Sequence, residues 1–329
     1  MNDQRITSGM IHPSIRLTGR ILRRILHFKS ETTFVRLQRL MPAARRLIRP
    51  KGFCCEQQTV AVPGHSRLRL LICRPRKPRP EAVGLLWLHG GGYAIGTPEQ
   101  DFSFIQKFIA AANCVIVSPD YRLSVQSPYP AAVSDCYQTL LWMKTHARLL
   151  GIRLDQLFVG GDSAGGGLAA AVTLMARDRG EVSVAFQMPL YPMLDDRMIT
   201  PSSRNNDAPV WDTRANKAAW RLYLGDLYGT DTVPVYAAPA RETDFRGLPP
   251  AYTFVGELEP FRDETAQYIS RLNEAGVQAE MDVYPGCFHA FDIVCAHASV
   301  ARRAARRYVE RFQHAAKTCF ARQPDEMDM

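Results

Sequence analysis

Between residues 57 and 285 short apolar runs alternate with longer stretches of helical period. QQTVAVPG (57–64) and SRLRLLICRP (66–75) read as two strands turning at Pro63-Gly64. The charged, proline-rich RPRKPRPE (74–81) interrupts the pattern. Beyond it come VGLLWLH (83–89), CVIVSPD (114–120), LFVGGD (157–162), VAFQMPLYP (184–192), AYTFVGE (251–257) and AEMDVYP (279–285). Helical stretches near 99–112, 130–149 and 163–178 separate the earlier runs. Continuous apolar runs suit strands covered on both faces. Their alternation with helices predicts parallel strands joined by crossovers, an α/β protein with an open, doubly wound sheet. In such sheets chemistry gathers beyond the C-terminal strand ends. Residues 195–245, with PSSRNNDAP and a helix near 213–227, break the alternation and read as an excursion over the sheet's rim.

The leading segment follows a different pattern. In SIRLTGRILRRILHF (14–28), Ile15, Ile21, Leu22, Ile25 and Leu26 share roughly one helical face, while Arg16, Arg20, Arg23 and Arg24 lie largely elsewhere. The expectation is a helix packing this stripe on its own body; weak contact with a membrane surface is the alternative. Charge separates this segment from the rest. Residues 1–50 hold 11 Lys+Arg against 2 Asp+Glu, and the remaining chain holds 30 of each. A neutral body lacks the basic groove of a nucleic-acid enzyme, so no nucleic-acid partner is expected. The hydrophobic fraction of 46% excludes a disordered chain. No apolar run reaches the roughly 20 residues that span a bilayer, and no secretory signal is read at the N-terminus. The eight cysteines show no CxxC spacing, so neither a zinc site nor a disulfide framework is expected, and the cytoplasm is the default location.

The chemistry concentrates in GGDSAGGG (160–167). Its position predicts strand, sharp turn, helix, and Gly161 to Gly165 fit G-x-S-x-G. Ser163 would project above the sheet, with the Ala164 amide and the positive helix end facing a developing negative charge. A phosphate-binding turn is the rival reading, since Gly165-x-Gly167-x-x-Ala170 loosely matches a dinucleotide pattern. Those glycines lie inside the helix, however, and no acid ends the next strand. A second loop, His89-Gly90-Gly91-Gly92, places the Gly91 and Gly92 amides at a strand's C-terminal end, where they can donate to an oxyanion. A serine hydroxyl also needs a base. Of eight histidines, His12 and His27 lie in the leading segment, His65 in a turn, and His146, His297 and His314 in predicted helices. His89 begins the glycine loop and is read as organising it. His289, in YPGCFHAF after the last strand, is the candidate base. TFVGELEPFRDE offers Glu257, Glu259, Asp263 and Glu264 as the acid that orients it.

Taken in order, HGGG, SPDYRL (118–123), YPAAVSDCY (129–137), GGDSAGG, PLYP (189–192), ELEPFRDE (257–264) and YPGCFHAF make residues 82–293 resemble the hormone-sensitive-lipase-like family of α/β-hydrolases. The resemblance implies the α/β-hydrolase fold, a mostly parallel sheet with a helical lid over the C-terminal strand ends. It divides the chain into a basic helical segment, 1–50, contributing to the lid, and a hydrolase domain, 51–329, with the lid excursion at 195–245. It also implies hydrolysis of short-chain carboxylic esters, small-molecule substrates, without cofactor or metal. Ser163, His289 and Glu259 would form the triad, with the oxyanion held by Gly91, Gly92 and Ala164. The chain departs from the family by placing Glu259-Pro260 where Asp-Pro is usual, which keeps Asp263 as a rival acid. It also has SVQSP (124–128) where A-P-E is commoner. Asp162 is read as a support for the loops. Trp211, Trp220, Tyr223 and Tyr228 are candidate pocket walls. Amide hydrolysis at the same site and binding without catalysis are the alternative functions. A homo-oligomer through the last strand's edge rests on analogy.

Overall fold

The computed structural model describes residues 5–324 except 27, 29, 46, 47 and 78, and the side chains of 42–45 are likewise outside it. Eight strands form one sheet: β1 (Phe53–Val62), β2 (His65–Pro75), β3 (Ala82–Leu88), β4 (Cys114–Pro119), β5 (Ile152–Asp162), β6 (Phe186–Leu190), β7 (Ala251–Gly256) and β8 (Ala279–Tyr284). Their spatial order is β1-β2-β4-β3-β5-β6-β7-β8. From β4 to β8 every neighbouring pair is parallel, while β2 runs antiparallel to β4 and to β1. All residues of β3, β4, β6 and β7 are buried, as their unbroken apolar runs require.

The helices are α1 (Arg16–Ile25), α2 (Glu31–Arg45), α3 (Phe102–Ala111), α4 (Ala131–Thr145), α5 (Ala147–Leu150), α6 (Ala164–Arg179), α7 (Thr213–Leu224), α8 (Arg262–Glu274), α9 (Phe291–Val294) and α10 (Ser299–Thr318). Alternate residues of β3 enter opposite cores. Leu86 and Leu88 join α4 and α6, while Leu85 and Trp87 meet Phe104 and Phe108 of α3 and Tyr308 and Phe312 of α10. Each such side chain, fully buried, contributes about 1.5–3 kcal/mol of apolar transfer. The expected helix over 130–149 is interrupted at His146, whose ring stacks on Trp142 and bonds the Trp142 carbonyl. The one near 213–227 ends at Leu224, followed by a 3₁₀ turn.

The leading segment differs from expectation in the face it buries. Ile11, Ile15 and Gly19 are buried and Leu22 is half-buried, with Gly19 against the Phe288 ring. Ile21 and Ile25, expected on that face, are exposed. The reason is steric: Gly19 lets the helix approach Phe288 closely, and this sets its rotation. Phe28 and Phe34 then stack on each other and meet Trp211 from the 195–245 excursion. Among the described residues, no helix is long and apolar enough to cross a membrane. The eight cysteines are free.

Candidate active site

Ser163 sits between β5 and α6 with φ 57° and ψ −120°. Such left-handed strain costs on the order of 1–3 kcal/mol and persists only where the surroundings hold it. Here its N–H donates to the Leu190 carbonyl at 2.9 Å, and its carbonyl accepts from the Gly167 and Met193 amides at 3.0 Å each. Gly165 has no room for a side chain, since a Cβ would strike the Leu88 carbonyl. The turn therefore brings α6 directly onto β3.

From Ser163 a line of hydrogen bonds runs inward. His289 Nε2 lies 2.8 Å from Ser163 Oγ, and His289 Nδ1 lies 2.5 Å from Glu259 Oε2. The second Glu259 oxygen accepts from the Gly256 amide at 2.6 Å, so one buried carboxylate holds both the strand end and the ring. A proton on Nδ1, facing the carboxylate, leaves Nε2 free to accept from the serine hydroxyl. The rings of Tyr191 and Phe261 meet His289 edgewise, each with its centroid 5.1 Å away.

The glycine loop after β3 faces this line. The Gly90 amide donates to Asp162 Oδ1 at 2.8 Å. Gly91 and Gly92 have φ 123° and 60°, and a Cβ on Gly92 would come within 2.5 Å of the Trp211 ring. His89 stacks on Tyr121 with centroids 4.2 Å apart, and its Nδ1 bonds the Gly90 carbonyl at 2.8 Å. Burial pushes its pKa down, so it stays neutral and structures the loop. The SPDYRL motif now has roles. Tyr121 donates to the His89 carbonyl at 2.7 Å, Asp120 pairs with Arg69, and Arg122 pairs with buried Asp135.

Sequence reasoning missed two buried acids beneath the turn. Asp101 hydrogen-bonds Asp162 and accepts from Trp87 Nε1 at 2.9 Å. Burial pushes both carboxyls up, Asp101 further because the Asp162 charge lies beside it. Asp292 is pushed up to about 7, by burial first and by Asp162 second. No sequence signal marks these acids, because an Asp opening a helix ordinarily serves the helix dipole.

The remaining candidates lie apart from the line. Asp263 accepts from the Ser202 amide and Arg262, Glu257 from the Gly286 amide, and Glu264 from the Leu194 amide. His65 starts β2 and pairs with Asp135; His297 lies in a turn, not a helix. His27 is outside the described residues. Of the four aromatics, Trp211 reaches within 6.2 Å of the His289 ring, whereas Trp220 and Tyr223 pack on Tyr93 and Tyr228 stacks under Arg221. Ser163 and His289 are only 5% and 4% exposed. A cavity of about 470 Å³ is lined by Arg23, Leu26, Phe28, Asp207, Asp212 and Arg214, among others, but not by Ser163 or His289. Phe28, one of its walls, meets Trp211, whose ring centroid lies 6.2 Å from that of His289.

A mostly parallel eight-stranded sheet with the serine turn after β5 and the histidine after β8 makes this chain an α/β-hydrolase. Residues 85–293 match the family described as the alpha/beta hydrolase fold. Carboxylesterase NlhH of Mycobacterium tuberculosis is 32% identical over 239 residues, 72% of this chain and 75% of that protein. Esterase LipI of the same organism is 37% identical over 202 residues, 61% of this chain and 63% of LipI, so the match spans less than two thirds of that relative. Among solved structures, a bacterial heroin esterase superposes with a TM-score of 0.85 at 34% identity, covering 94% of this chain and 99% of that one. The chain belongs to the hormone-sensitive-lipase-like family of α/β-hydrolases, whose relatives named here are esterases.

Proposed function

We propose that this protein is a serine carboxylic ester hydrolase acting on short-chain acyl esters through an acyl-enzyme. The observation that carries this reading is the unbroken hydrogen-bonded line Glu259–His289–Ser163 opposite the glycine loop. In this mechanism His289 Nε2 takes the serine proton as Oγ attacks the ester carbonyl. The amides of Gly91, Gly92 and Ala164 receive the oxyanion, helped by the positive end of α6. The imidazolium, stabilised by Glu259, then protonates the departing alkoxide. Water deprotonated by the same ring releases the acid and restores the serine.

Substrate size follows from closure. The N-terminal segment and the 195–245 excursion meet at Trp211, and we assign them together as a cap over the strand ends. Trp211 lies against Gly92 of the glycine loop, and we assign its ring as the wall that limits the acyl group to a short chain. Eight free thiols suit a reducing compartment, and the cytoplasm is the proposed location. Ser163→Ala should lower kcat on p-nitrophenyl acetate by about 10⁴-fold or more while the melting temperature is kept. Retention of most activity would remove the assignment. Matched ester and amide substrates, assayed together, report which bond the site prefers.

A further inference from the structure

Helix α1 has two opposed faces. Its inner face is anchored: Gly19 lies on Phe288, and Arg23 donates to the Ile6 and Asp207 carbonyls at 2.8 and 2.7 Å. Arg16 Nε donates to the Ile11 carbonyl at 3.1 Å. These contacts fix which side points outward. On that side Leu17, Ile21 and Ile25 are 70%, 50% and 65% exposed. Spaced four residues apart, they form one aliphatic stripe about 12 Å long. Arg20 and Arg24, both exposed, precede Ile21 and Ile25 and sit beside the stripe.

Single exposed aliphatics are ordinary, but a continuous stripe of three on an otherwise anchored helix points to a binding surface. The charge selects the occupant. The whole net charge of +9 resides in residues 1–50, the rest of the chain being neutral. A second copy would bring the same basic surface against this one, at a cost in repulsion. A nucleic acid would use the arginines but has no counterpart for three bare aliphatic side chains. Aliphatic side chains flanked by arginines match the boundary between acyl chains and anionic headgroups. We propose that the outer face of α1 docks on an anionic lipid surface. The opposite face of the same helix packs on Phe288, next to His289, so docking would hold the candidate site close to esters dissolved in a bilayer. The inference does not depend on the proposed reaction.

The test is co-sedimentation of the full chain with vesicles at about 0.1 M salt. Vesicles of phosphatidylcholine with phosphatidylglycerol are compared with phosphatidylcholine alone. The expected result is binding at least tenfold stronger to the anionic vesicles, weakened by raised salt. The triple variant Leu17→Ser, Ile21→Ser, Ile25→Ser should lose tenfold or more while hydrolysing p-nitrophenyl acetate like the parent. Leu17→Trp, a single exposed change, should show a blue-shifted emission only with anionic vesicles. Absence of vesicle binding, equal binding by the triple variant, or no emission shift would each overturn the proposal. So would light scattering that shows a dimer abolished by the triple variant when vesicles fail to bind.

Discussion

Glu259 serves two partners with one carboxylate, the Gly256 amide and His289 Nδ1. This is why glutamate can stand where aspartate is usual: its longer arm still spans from the end of β7 to the ring. Glu259→Gln should lower kcat on p-nitrophenyl acetate by about 10³–10⁴-fold with KM little changed, because the imidazolium loses its counter-charge and the tautomer is no longer set. Steady-state kinetics check this. Asp292 makes a different residue-level case. Burial beside the Asp162 charge holds its pKa near 7, against partial relief from the Tyr191 hydroxyl and, more weakly, from Lys107. An acid raised from 3.8 to about 7 is neutral in both states below pH 4, and above pH 7 it must carry a buried charge. Its contribution to folding is therefore present at low pH and lost as pH rises through 7. Relative to the parent, Asp292→Asn should gain stability between pH 4 and 8, by about 2–4 kcal/mol. Urea unfolding across that range measures the gap, and a gap independent of pH would contradict the argument.

At the scale of elements, the loops that carry the site are tied to their neighbours by ion pairs. Arg122, after β4, reaches Asp135 in α4 through Nε and Nη2, and His65 of β2 bonds the same carboxylate. Asp135 is fully buried, so removing the guanidinium leaves a charge with reduced compensation. Arg122→Ala should cost about 2–3 kcal/mol, below the usual range for a broken buried pair because Arg122 is partly exposed and His65 remains. A double-mutant cycle with Asp135→Asn isolates the pair term. The strand and helix positions were readable from periodicity, since runs buried on both faces are continuously apolar. The break at His146 and the 3₁₀ turn after Leu224 were not, because side-chain bonds to the backbone and a positive-φ glycine set them.

At the scale of the whole molecule, Trp211 is the candidate-cap residue that comes beside both the glycine loop and His289. Trp211 contacts Phe28 and Phe34 on one side and approaches Gly92 and His289 on the other. If this ring sets the depth of the acyl pocket, Trp211→Ala should raise kcat/KM for p-nitrophenyl octanoate relative to acetate by about tenfold or more, the scale of pocket discrimination between acyl groups. A panel of acyl lengths measures the shift, and an unchanged profile would remove Trp211 from the pocket.

What the sequence determined by itself is local in origin. A strained turn needs glycines on both sides of Ser163, amides facing a charge need Gly91 and Gly92, and strands with two covered faces need unbroken apolar runs. Each demand is met by neighbouring residues and so leaves a mark in a short stretch of chain. Tertiary structure alone decided that Glu259 and not Asp263 faces His289, since both acids belong to one short segment and only the fold gives Asp263 to the Ser202 amide. It also decided the rotation of α1. Two aliphatic arcs compete on that helix, and contact with Phe288, more than 250 residues away in sequence, buries one and leaves the other to water.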